Sequence, residues 1–75
     1  MGRVVSLEQE RVDRLADVIV SELRSNDNEV VHLTSHISNI DEWRRAARKA
    51  GRQLGIQIRT GVSRRGDKVW AIEEP

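Results

Sequence analysis

Apolar residues return every third or fourth position through the first third of the chain, at Val12, Leu15, Ala16, Ile19, Val20 and Leu23. At about 100° per residue they fall on one stripe of a helix, the pattern of an element packed on a core. Ser6-Leu7-Glu8-Gln9 has the form of a capping box, in which the Ser6 hydroxyl accepts from the Gln9 amide and the Gln9 side chain reaches back. The helix is expected to start there. It should end near Arg24, because Ser25-Asn26-Asp27-Asn28 consists of residues that satisfy their own backbone locally. Leu7 and Val18 lie roughly 100° or more from the centre of the stripe and form a thin second apolar edge, either solvated or set against a partner.

The period then changes. Val30-Val31-His32-Leu33-Thr34 is β-branched and alternating, a short strand with Val31, Leu33 and then Ile37 expected inward. An N-cap follows at Ser38 or Asn39, with Asp41 and Glu42 suited to the positive end of a helix. That second helix is expected over residues 40–54, with Gly55 as its left-handed terminal residue. Ile40, Trp43, Ala46, Ala47, Ala50 and Leu54 fill about a third of its circumference, and the three alanines let it lie close to its support. Residues 56–62 and 68–73 alternate again and read as two strands joined by a short loop, with Trp70 and Ile72 on the core side. A three-residue loop Arg64-Arg65-Gly66, with Gly66 left-handed, pairs Ile58 with Ile72 and Thr60 with Trp70. A two-residue Arg65-Gly66 turn would instead set Ile58 against Glu73 and Arg59 against Ile72, splitting the apolar set across both faces, so the first register is expected.

The order α, β, α, β, β predicts an α+β fold in a single small domain over residues 1–75, two helices packed on a three-stranded sheet that ends in a C-terminal β-hairpin. A crossover through the second helix makes the first two strands parallel and the sheet mixed. The alternative is a winged helix-turn-helix, in which residues 33–38 form a very short middle helix, the second long helix is the reader and the hairpin is the wing. Six residues are few for that helix and no glycine marks the turn after it, which favours the sheet.

Composition narrows what such a domain can be. The 75 residues include no cysteine, which excludes disulfides and thiolate metal sites. A single core of this size supplies only about 3–5 kcal/mol, so a homodimer, which buries more apolar surface, is one expected outcome. The longest aliphatic run, Val18-Ile19-Val20, is far short of the roughly 20 residues that span a bilayer, and a cytoplasmic protein without membrane contact is expected. Gly2 and Ser6 fit a loose myristoylation pattern, for which helix capping by Ser6 is the plainer reading.

The net charge of +1 conceals a division. Residues 1–40 carry four Lys/Arg against seven Asp/Glu, a balance of −3, whereas residues 41–75 carry nine against five, a balance of +4. Arg44, Arg45, Arg48, Lys49 and Arg52 occupy an arc of roughly 140° almost opposite the Ala/Trp stripe of the second helix. A merely solvated face usually mixes signs, because like charges four apart destabilise a helix by a few tenths of a kcal/mol. Arg44, Arg48 and Arg52 repeat at that spacing without an acid among them, which implies a counter-charge from outside. Arg64, Arg65 and Lys68 stand at or beside the hairpin tip, and Arg59 lies on the non-core side of its strand. Guanidinium forks on a helix face and a basic tip suit phosphates along a groove.

Other motifs lead to less. Arg65-Gly66-Asp67 resembles an integrin-binding tripeptide, but a turn in a chain without cysteines explains it better. Gly61 and Gly66 have P-loop spacing, yet Asp67-Lys68 stands where Lys and Ser/Thr are required. His32 and His36 would be about 13 Å apart on a strand, too far to share a metal, and read as half-exposed ordinary histidines; no metal and no cofactor is expected. Both tryptophans, Trp43 and Trp70, fall on expected core faces, which disfavours base stacking. No glycine-framed serine and no cysteine or tyrosine suggests catalysis. The expected function is a small non-enzymatic nucleic-acid-binding protein, for duplex DNA, using Arg44, Arg45, Arg48, Lys49, Arg52, Arg59, Arg64, Arg65 and Lys68. The rival is a protein-interaction module or small regulator that docks its basic face on an acidic protein or pairs through Leu7 and Val18.

Overall fold

The computed structural model describes residues 7–74. In chain order it comprises α1 (Leu7–Ser25), β1 (Glu29–Leu33), a three-residue 3-10 helix (Thr34–His36), α2 (Ile40–Leu54), β2 (Ile58–Val62) and β3 (Lys68–Glu73). The α+β class and the packing of two helices on one three-stranded sheet are as expected. Ser6 and Gly2, and with them the capping box and the acylation pattern, lie outside the described residues. Thr34–His36 falls where the winged alternative places its middle helix, but it is a single 3-10 turn with no buried residue, so two helices pack on the sheet rather than three.

The core forms where the helical stripes meet one sheet face. Val12, Ala16, Ile19 and Leu23 of α1 pack with Trp43, Ala46, Ala47 and Ala50 of α2 and with Val30, Val69 and Ala71 of the sheet. Leu15, Val20, Ile37, Ile40, Leu54 and Ile58 surround this cluster half-buried. Both helix stripes are therefore the expected ones.

The sheet departs from expectation in three ways. Its order is β1-β3-β2, with both neighbouring pairs antiparallel. β1 and β2 do run in the same direction, as the crossover requires, but β3 lies between them and the sheet is not mixed. The reason lies in composition: β3 has apolar residues on both faces, whereas β2 carries Arg59 and Gly61 and tolerates an edge.

The hairpin register is also shifted by one residue, pairing Ile58 with Glu73, Arg59 with Ile72 and Gly61 with Trp70. The loop spans residues 64–67, one more than expected. Gly66, at φ 74°, donates to Ser63 O at 2.8 Å, and Ser63 N donates to Lys68 O at 2.9 Å. The return bond from Lys68 N goes to Ser63 Oγ at 3.0 Å, while that hydroxyl donates to Asp67 Oδ1 at 2.7 Å. A side chain thus replaces a backbone acceptor, and the extra residue moves β3 by one position.

Third, the shift reverses the faces of β3, and β1 follows. Val69 and Ala71 point inward, whereas Trp70 and Ile72, expected in the core, are half-buried on the opposite face. Val30 and His32 point inward and Val31 and Leu33 outward, the reverse of the expectation. Apolar residues on both sides of these strands made either orientation compatible with a simple alternation. Among the described residues no helix is long and apolar enough to cross a membrane.

Candidate nucleic-acid interface

The basic face is held by a helix with defined ends. Asn39, in extended conformation, accepts from Glu42 N at 3.1 Å and starts α2. At the other end Gly55 is left-handed at φ 71°, its N–H bonds Arg52 O, and Ile56 N bonds Gly51 O at 2.9 Å, which satisfies the last carbonyls. Gly51 is buried against β2; a Cβ there would stand 2.4 Å from Ile58 Cγ1. Only a residue without a side chain lets α2 lie this close to the sheet edge.

With the Ala/Trp stripe buried, the five cations of α2 emerge on the far side in three settings. Arg44, half-buried, leans toward the sheet and donates through Nε to Thr60 Oγ1 of β2 at 3.1 Å. Arg45 and Lys49 lean toward α1, where Arg45 pairs with Glu8 and Lys49 with Asp13. Arg48 and Arg52 lie between, exposed and without an ion pair among the described residues. The Lys49 ammonium, and after it the Gln9 side chain, hold the Asp13 carboxyl below its ordinary value. Glu8, bonded to Arg45, holds that guanidinium still more firmly protonated. Part of the counter-charge expected from outside is therefore supplied by α1. A groove of about 240 Å³ lined by Gln9, Val12, Arg45, Arg48, Lys49 and Arg52 runs between the helices.

Arg64 and Arg65 project from the hairpin tip, exposed and free of ion pairs among the described residues. The tip itself is pinned. Thr34 donates through Oγ1 to Gly66 O and through its amide to Asp67 O, both at 2.9 Å. The Ser63 hydroxyl bond lowers the Asp67 carboxyl below its ordinary value. Arg44 rests on Thr60, four residues before Arg64, so one end of the α2 row touches the strand that leads to the tip. Arg59 and Lys68 do not join them: the register sets both on the sheet face away from the helices, and Arg59 pairs with Glu74 at 3.5 Å. The nine basic residues thus fall in three places: five on α2, Arg64 and Arg65 at the hairpin tip, and Arg59 and Lys68 on the sheet face away from the helices.

His32 is not the ordinary half-exposed histidine expected. Trp43 Nε1–H, which can only donate, bonds His32 Nδ1 at 2.8 Å, and His32 Nε2 lies 2.6 Å from Glu22 Oε2. Nδ1 must then be the acceptor and Nε2–H the donor, so the imidazole joins the buried indole to α1. The rings meet edge-on, 5.7 Å apart. On the other face Trp70 lies against Gly61, half-buried, so its placement in the core no longer supports excluding base contact.

Several partners had no signal in the linear pattern. Thr60 reads as an ordinary strand residue and Thr34 as a strand terminus, yet one anchors Arg44 and the other the tip. Glu8 and Asp13 were not singled out either; the negative balance of residues 1–40 was the available hint. No protein-family model matches this chain, and no curated protein or solved structure matches it either.

Proposed function

We propose that the chain is a small, non-enzymatic nucleic-acid-binding protein that grips the phosphate backbone of duplex DNA with the outer face of α2 and the hairpin tip. The Arg44–Thr60 hydrogen bond carries this reading, because it ties the α2 row to β2, the strand that leads into the loop bearing Arg64 and Arg65. Arg48, Arg52, Arg64 and Arg65 are the primary phosphate contacts, since none spends its charge on a neighbour within the described residues. Arg45 and Lys49 join by exchanging Glu8 and Asp13 for phosphates. Arg59 and Lys68, on the other sheet face, act at most through long-range attraction.

With about four phosphates neutralised, affinity falls roughly 10²-fold between about 50 and 200 mM salt. Fluorescence anisotropy of a labelled duplex measures this slope. Arg48→Glu with Arg52→Glu abolishes binding at low salt while circular dichroism stays native. Salt-insensitive binding, or none at low salt, rejects the reading. A second reading has one specific observation behind it: the face already accepts carboxylates from a helix, at Glu8 and Asp13. An acidic helical protein would then compete, and poly-glutamate displacing the duplex at equal charge concentration favours that partner.

A further inference from the structure

α1 carries a second surface beside its core stripe, opposite the side on which Asp13 meets Lys49. Arg14, Val18 and Glu22 recur at four-residue spacing and so form one row along the helix. Two adjoining cavities, of about 310 and 410 Å³, run beside this row and share Leu15, His36 and Ile37. Arg14 and Val18 line the first; Glu22, Val31, His32 and Leu33 line the second. His32 faces inward and Val31 outward, and both faces of a strand can line one cavity only at its free edge. The second cavity therefore lies between α1 and the unpaired edge of β1, and the first continues it past Ile37 to Asn39 and Glu42 at the start of α2. Around this groove are three of the molecule's large exposed apolar residues: Val18 at 49 %, Val31 at 58 % and Leu33 at 42 %. β1 has no lysine, proline or bulge, the usual protections of a sheet edge, and a helix laid beside such an edge is another way of closing it.

We propose that this face is the interface of a homodimer, in which α1 packs antiparallel on α1 of a second copy about a two-fold axis near Val18. The row argues for a second copy over any other occupant, because it is self-complementary. Reversing it about Val18 brings Arg14 opposite Glu22 of the partner subunit and Glu22 opposite Arg14 of the partner subunit, with valine against valine between them. An isologous contact requires this of its surface. Arg14 forms no ion pair within the described residues, unlike Arg11, which bonds Glu42 at 3.1 Å. Glu22 engages His32 through Oε2, which leaves Oε1 for a cation. The groove floor, Leu15 and Ile37, receives the partner's Val18. The interface is independent of phosphate binding, since none of these residues belongs to the cationic row of α2.

Charge reversal tests it by sedimentation equilibrium. The wild type is expected at twice the 8.6 kDa chain mass, and Arg14→Glu and Glu22→Lys each at the single chain mass. In an equimolar mixture of the two variants every cross-contact pairs opposite charges, so the doubled mass returns. That rescue also shows both variants are folded. A wild type that stays at the single mass up to about 1 mM overturns the proposal. So does a dimer indifferent to either reversal, or a mixture of variants with native dichroism that stays monomeric.

Discussion

Gly61 and Trp70 stand opposite each other on β2 and β3, and the pair explains how a sheet can turn a tryptophan away from its core. The indole covers the bare glycine backbone; a Cβ on residue 61 would lie 2.2 Å from Trp70 Cζ2. Gly61→Ala must therefore displace the ring. The expected loss is about 1–3 kcal/mol, the usual range for overpacking, measured by urea unfolding. Trp70 then becomes more accessible to iodide, while Trp43, buried and bonded to His32, does not. Unchanged quenching would mean that the indole does not rest on Gly61. The linear pattern gave the opposite assignment, because alternation treats Trp70 and Ile72 as the stronger apolar pair and gives no weight to a glycine one strand away.

Between elements, the two helices are joined by charge as well as by their apolar stripes: Glu8 to Arg45, Asp13 to Lys49 and Arg11 to Glu42. Asp13 reports on this contact through pH. Its carboxyl is held below its ordinary value mainly by Lys49, so the stabilisation is present above the unfolded-state value and is lost as pH falls through the lowered one. The melting temperature should fall on that acid limb. Lys49→Met should lower the neutral plateau and make this limb shallower; an identical acid profile would show that the pair contributes nothing. The helix ends and the buried stripe of α2 were legible in the residues, because capping and 3.6-residue periodicity are local. The α1 partners of α2 were not, since ion pairs between residues some 36 positions apart depend on how the helices cross.

For the whole molecule, the same ion pairs oppose the proposed binding. Glu8 and Asp13 occupy two of the cations that phosphates would take, so phosphate must displace carboxylate. Glu8→Gln together with Asp13→Asn removes that competition and two negative charges. Duplex affinity at low salt should rise, and the log–log salt slope should steepen by about two units as Arg45 and Lys49 become available. Anisotropy titrations across salt concentration decide it. Unchanged affinity would mean that these two cations only join the helices and take no part in binding.

By itself the amino-acid sequence determined the order of elements, the core stripe of each helix, the caps of α2 and the cationic arc opposite its alanines. Each follows from interactions within a few residues along the chain, where spacing and geometry are the same thing. The tertiary structure alone decided the strand order, the inward face of β1 and β3, the four-residue loop and the placing of Arg59 and Lys68 on the sheet face away from α2. Apolar residues on both faces of a strand leave period-two alternation degenerate. Contacts beyond the strand break that degeneracy: Ser63 capping Lys68, Gly61 receiving Trp70 and Trp43 reaching His32.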